Sequence, residues 1–149
     1  MILVSACLLG INCKYDGDNN ENEIVKNYLK GKQFILVCPE QLGGLQTPRI
    51  PCEIKNGNGN CVLQGKSKVI NKDGVDKTQN FIKGAKEALK IAKLYNCKEA
   101  ILKEGSPSCG VNKIYDGSFN GIKIDGQGVS ASILKKYGIN IISEKDLEK

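Results

Sequence analysis

Four short apolar runs punctuate the chain, at residues 1–6, 34–38, 99–103 and 139–142. Bounded by polar residues, glycine or proline, they read as strands, the first of them fully buried and the third in the core. Helical patterns lie between them. Asn20 or Asn22 is placed to cap a helix running to about residue 30, with Ile24, Val25, Tyr28 and Leu29 on one stripe and Gly31 as the stop. The longest helix is expected over 75–94, where Phe81, Ile82, Ala85, Leu89, Ala92 and Lys93 keep a helical period. Another is expected over 129–137, ending at Gly138.

Strands alternating with helices imply a parallel sheet covered on both faces. The predicted fold is α/β: a single three-layer domain over residues 1–149 with a mostly parallel, Rossmann- or flavodoxin-like sheet. The glycine- and proline-rich tract 39–65 reads as a long ordered loop, and loops of that length are usually functional. Residues 61–69 suggest a hairpin turning at Gly65, and 114–122 a turn with a short extended piece.

Composition narrows the chemistry. Seven cysteines occur with no histidine. Histidine-based triads, Cys-His catalysis and histidine zinc sites are thereby excluded. No apolar run reaches the roughly 18 residues of a membrane span. The amino terminus opens on a strand without a basic leader or cleavage site, so no signal peptide is expected. A reducing cytoplasmic location follows, where cysteines point to metal or redox chemistry rather than disulfides. The net charge of +6 comes almost wholly from dispersed lysines. With three Phe, five Tyr and no Trp, little is available for a base-stacking platform, so nucleic acid is disfavoured as the main partner.

The cysteine positions carry the functional reading. Cys7, Cys38 and Cys109 each lie at or just beyond the carboxyl end of a predicted strand. Open α/β sheets bind ligands at that edge, where strand order reverses. Three thiolates meeting there can hold an iron–sulfur cluster with one iron lacking a protein ligand. The competing reading is that they are buried free cysteines acting as small hydrophobes, to which Cys52, Cys61 and Cys97 are assigned. Cys13 is open between a fourth ligand, a redox partner of Cys7 and no role. Glu40, two residues past Cys38, is a candidate acid or base. Ser106 and Ser108 flank Pro107 beside Cys109 and are candidate hydrogen-bond donors, or ordinary turn residues. Arg49, the only arginine, suits either an anion clamp or an ion pair. Gly59–Ser67 lacks P-loop spacing and context, and is set aside. Gly126-Gln127-Gly128-Val129-Ser130-Ala131 has dinucleotide spacing with Glu144 as its acid; the milder and preferred reading is a substrate phosphate held at a helix start.

Ser5-Ala6-Cys7-Leu8-Leu9-Gly10, Tyr15-Asp16-Gly17, Cys38-Pro39-Glu40 with Gly43-Gly44-Leu45 and Pro48-Arg49, and Ser106-Pro107-Ser108-Cys109-Gly110 with Ile114-Tyr115-Asp116-Gly117 occur in this order. Together they resemble the small bacterial domain family that includes the thiouracil desulfidases, the TudS-like proteins. The resemblance runs from Ser5 to about Glu144. It implies a [4Fe-4S] cluster on Cys7, Cys38 and Cys109. It also implies non-redox desulfurisation of thiouracil or a thiouridine nucleotide to the oxo base and hydrogen sulfide, with Glu40 and Ser106 or Ser108 moving protons. The alternatives are a metal-binding or redox-sensing module with Cys13 as fourth ligand, and a persulfide sulfurtransferase using Cys7 or Cys13.

Overall fold

The computed structural model describes residues Met1–Lys149. In chain order the first half comprises β1 (Ile2–Ser5), a 3-10 turn (Ala6–Leu9), α1 (Glu23–Leu29), β2 (Phe34–Val37), α2 (Pro39–Leu42), β3 (Cys52–Lys55), α3 (Gly59–Leu63) and β4 (Lys68–Asn71). The second half comprises α4 (Thr78–Leu94), β5 (Glu99–Leu102), β6 (Lys113–Tyr115), β7 (Lys123–Asp125), α5 (Val129–Tyr137), β8 (Asn140–Ser143) and α6 (Glu144–Leu147).

The four apolar runs form one parallel sheet in the order β2-β1-β5-β8. Side chains alternate across a strand, and both faces are covered. Leu3, Val37, Ala100 and Leu102 pack with Ala92 of α4 and Ala131 and Leu134 of α5. Ile2, Val4 and Ile101 pack on the other side with Val25 and Leu29 of α1, and Leu147 of α6 adjoins them. Double-sided burial is why β1 is apolar throughout. Chain winding passes from β1 out to β2 and then back to β5 on the other flank, so the crevice of such sheets opens at the carboxyl ends between β1 and β5. No helix is long and apolar enough to cross a membrane.

The tract 39–65 departs from the expected loop, because α2, β3 and α3 lie within it. Pro39 stands in the first turn of α2, where its missing N–H costs nothing. Asn58 caps α3 by accepting from the Cys61 amide at 3.1 Å, and Val62 is buried against Ile54, Val69 and Phe81. The expected 61–69 hairpin is therefore wrong. The antiparallel partner of β4 is β3, paired from Cys52↔Asn71 to Lys55↔Lys68, with α3 in the connection. Gly65, with φ 76°, follows α3 instead of turning a hairpin. Residues 113–125 form a complete antiparallel hairpin, β6–β7, with Ile114 opposite Ile124.

One close contact bears on the site. A Cβ on Gly84 of α4 would stand 2.0 Å from the Pro39 carbonyl oxygen, and one on Gly43 would stand 2.0 Å from that of Asn80. Glycine at both positions lets α2 lie directly on α4, which fixes where Cys38 and Glu40 stand.

Candidate active site at the sheet edge

Each of the three expected thiols is positioned by local backbone chemistry. Cys7 lies in the 3-10 turn that closes on Gly10, whose φ of 90° favours glycine. Cys38 is the residue before the first turn of α2. Cys109 is set by Ser106, whose Oγ accepts from the amides of Ser108 at 3.0 Å and Cys109 at 3.1 Å. All three line one cavity of about 460 Å³ at the carboxyl edge of the sheet, together with Cys13, Glu40 and Ser106.

The loop carrying Cys109 is clamped by two buried carboxylates. Glu104 Oε1 accepts from the amides of Val111 (2.8 Å), Asn112 (2.8 Å) and Lys113 (3.0 Å), and its Oε2 accepts from the Asn112 side chain. Glu144 Oε1 accepts from the Glu104 amide at 2.7 Å, while its Oε2 pairs with Lys103 Nζ at 3.1 Å. Burial opposes ionisation of Glu104, but the amides of Lys113, Asn112 and Val111 outweigh it and hold its carboxyl below the ordinary range. Because the folded value is depressed, its stabilisation is present above the unfolded carboxylate pKa and is lost as pH falls through the folded value. Glu104→Ala should cost about 3 kcal/mol, since it strands several buried donors. Urea unfolding at neutral pH and near pH 4 checks this, with the gap between variant and parent expected to shrink in acid.

The start of α5 does not serve a phosphate. Its amides are taken by the same loop: Val129 N–H donates to Pro107 O (2.8 Å), and those of Ser130 and Ala131 donate to Ser108 O (2.8 and 3.1 Å). A Cβ on Gly128 would lie 2.5 Å from the Ser108 carbonyl. The glycine pattern is thus a packing device, and Glu144 is a loop clamp, not a ribose acid.

Arg49 is an ion-pair residue. Its Nε donates to Glu40 Oε1 at 3.0 Å, and its other nitrogens reach Thr47 Oγ1 (2.9 Å), Gln46 O (3.2 Å) and Cys13 O (2.8 Å). No fork remains for a ligand anion. Glu40 Oε2 is left beside the Ser106 hydroxyl at 3.4 Å. Ser108 is buried and outside the cavity lining, so the structure brings Glu40 and Ser106 to the thiols but not Ser108.

Cys13 is buried beside Cys7 and Cys38, and Cys38 Sγ donates to the Cys13 carbonyl oxygen at 3.8 Å. Hydrogen bonding from Cys13, followed by the Gln41 amide, outweighs burial at Cys38 and brings its pKa down to about 7. The Cys13 contact, helped by Asn20, likewise outweighs burial and lowers Cys7. Cys13 itself is pushed up by the contacts with Cys38 and Cys7 and keeps its proton. Burial, reinforced by the nearby Cys7, Cys38 and Glu40, raises Cys109 against a hydrogen bond from Ser5. Cys52 also lines the cavity, where burial pushes its thiol up to about 11. The sequence assigned Cys52 to the core because spacing alone cannot show that β3 runs past the thiols.

A family model described as 2-thiouracil desulfurase matches residues 2–146. The chain belongs to that family. It is 46% identical over 147 residues to the protein YbbK of Bacillus subtilis (strain 168), covering 99% of this chain and 97% of that protein. It is also similar to the solved structure of a [4Fe-4S]-dependent thiouracil desulfidase, TudS, at 37% identity and a TM-score of 0.83, covering 99% of this chain and 92% of that one. The resemblance carried by the cysteine, glutamate and glycine motifs is therefore borne out, as is the three-layer α/β fold.

The residues of this desulfurase-family chain fit an iron–sulfur cluster. Three soft thiol donors face one cavity, and two of them are already biased toward thiolate. No three His, Cys, Asp or Glu side chains are grouped to grip a single metal ion. A four-iron cluster is larger than one ion and takes its ligands from further apart. With Cys7, Cys38 and Cys109 as the ligands, Cys13 would be a supporting neighbour of the ligand sulfurs. Cys13→Ser should keep a hydroxyl donor there and retain full iron content after anaerobic reconstitution; loss of iron from that variant would make Cys13 a ligand.

Proposed function

We propose that this chain is a [4Fe-4S]-dependent desulfidase that converts a thiolated pyrimidine and water to the oxo base and hydrogen sulfide, with no net redox change. The observation that carries this reading is the meeting of Cys7, Cys38 and Cys109 with the Glu40–Ser106 pair in one cavity. Cys7, Cys38 and Cys109 would hold the cluster, which would supply Lewis-acid chemistry toward the substrate sulfur.

The rest is the work of this chain's side chains. Arg49 ties down Glu40 Oε1 and so orients the carboxylate. Glu40 Oε2 takes the proton of the attacking water, and the Ser106 hydroxyl beside it steadies the carboxylate and passes the proton toward the departing sulfur. Ser108 contributes through its backbone by holding the Cys109 turn to α5. The catalytic unit is one domain over residues 1–149. Seven free thiols suit the reducing cytoplasm.

The preferred substrate is a thiouridine nucleotide rather than the free base. Lys14, Lys72 and Lys123 line the cavity, a basic rim that suits an anionic group attached to the ring. Lys72→Ala combined with Lys123→Ala should lower kcat/KM for 4-thiouridine monophosphate several-fold and leave that for thiouracil unchanged. Equal losses on both substrates would refute the phosphate assignment. The proposal as a whole is tested by iron and acid-labile sulfide analysis after anaerobic reconstitution, followed by thiouracil turnover without a reductant. About four of each per chain, with sulfide released, is expected. Zinc alone, or no iron, would overturn it.

A further inference from the structure

Phe119 is a bulky aromatic in a place where the chain would ordinarily put glycine or asparagine. Its φ is 59°, in the left-handed region that non-glycine residues rarely occupy, although Asn120 and Gly121 follow directly. Burial in the core does not explain it. Phe119 belongs to none of the three apolar clusters and is half-buried at the tip between β6 and β7. Of the three phenylalanines, Phe81 is in the core and Phe34 is exposed on β2. Phe119 is the one phenylalanine that lines the cavity; the other aromatic lining residues, Tyr15 and Tyr115, have Lys14 and Lys123 over their rings at 5.6 and 5.5 Å.

The strained turn is held from below. Glu53 of β3 is half-buried, and its Oε1 accepts from the amides of Gly117 at 2.9 Å and Phe119 at 3.2 Å. Gly117 lies directly on β3, where a Cβ would stand 2.7 Å from the Ile54 carbonyl oxygen. Within the turn, Asp116 Oδ1 accepts from the Ser118 amide at 2.9 Å and the Ser118 hydroxyl at 2.6 Å. The two Glu53 bonds tie a peripheral hairpin, whose β7 is exposed throughout, to the body of the protein.

We infer that Phe119 is the residue on which the flat face of a pyrimidine ring rests, and that Glu53 is its positioning residue. An aromatic face presented at a cavity edge stacks a planar base without reading its sequence identity. A carboxylate accepting both amides holds that face in a conformation the backbone alone disfavours. The inference rests on the desulfidase reading for its ligand class.

The test measures equilibrium binding of uridine monophosphate, the unreactive oxo product, to the reconstituted protein, alongside thiouracil kinetics. Phe119→Ala should weaken binding about tenfold and raise KM similarly, with kcat less affected, while Phe119→Tyr should preserve both. Glu53→Ala should reproduce the Phe119→Ala defect, and Glu53→Gln, which keeps an acceptor oxygen, should restore most of it. Glu53→Ala added to Phe119→Ala should do no further harm, because both act through one contact. Unchanged product affinity in Phe119→Ala, or additive losses in the double variant, would overturn the inference. Failure of the parent protein to turn over thiouracil would instead sink the desulfidase reading. The binding series reads the stacking role separately from turnover, and a parent protein that does not bind uridine monophosphate would overturn the inference.

Discussion

Cys109→Ala should abolish cluster assembly, dropping iron from about four per chain to near none and taking thiouracil turnover with it. Cys109 is the most buried of the three proposed ligands, and its thiol is raised by burial. It therefore becomes a thiolate only when a metal displaces its proton. With it gone, Cys7 and Cys38 are left on one flank of the cavity with no thiol from the β5 loop. The fold should survive, since a sulfur-to-methyl loss in the core costs about 1 kcal/mol. Cys97→Ala provides the control. Cys97 is equally buried and lies in the same apolar cluster, yet it does not line the cavity. It should keep full iron and activity at a similar cost in stability. Iron analysis with far-ultraviolet circular dichroism on both variants decides the matter, and full iron in Cys109→Ala would remove it from the ligand set.

Glu40→Gln should give the opposite dissociation, with iron retained and turnover lost by about 10²–10⁴-fold, the usual contribution of a positioned acid or base. The amide keeps an acceptor for Arg49 Nε, now held at 3.0 Å, so α2 and Cys38 should stay in place. What it loses is the ability to take a proton at Oε2 beside Ser106. Removing the negative partner of a buried guanidinium also costs stability, so unfolding should be measured together with activity. Single-turnover sulfide release on iron-loaded protein is the decisive assay. A fully active variant would leave Glu40 as a purely structural counter-ion.

Legibility from the sequence followed the range of the interactions involved. The strand at 99–102 stood out because Ala100, Ile101 and Leu102 are buried in the sheet between two helical layers, whereas 34–37 is an apolar run at the sheet edge, buried only at Val37 and exposed at Phe34. The helix Val129–Tyr137 was bounded correctly because Gly138, with φ 101°, ends it locally. The thiols could be placed at one sheet edge because a parallel topology brings all strand ends together. By contrast, α2, β3 and α3 are four or five residues each, too short to show a period. They exist because Gly43 and Gly84 admit α4 and because Val62 finds Ile54 and Phe81.

The same division holds at the site. The sequence by itself determined the fold class, the family and the three candidate thiols, since these depend on local pattern and on the order of motifs. Only the tertiary structure decided that Arg49 is consumed by Glu40 and that the start of α5 is filled by Pro107 and Ser108 carbonyls. It alone revealed that Glu104 and Glu144 clamp the Cys109 loop, and that Glu53 holds Phe119 at the cavity. Each of these is a polar group whose meaning depends on its partner, and the partners lie up to 66 residues away along the chain, as between Glu53 and Phe119. Burial makes such pairings obligatory, because an unpartnered polar group away from water is costly, but nothing in local sequence names the partner.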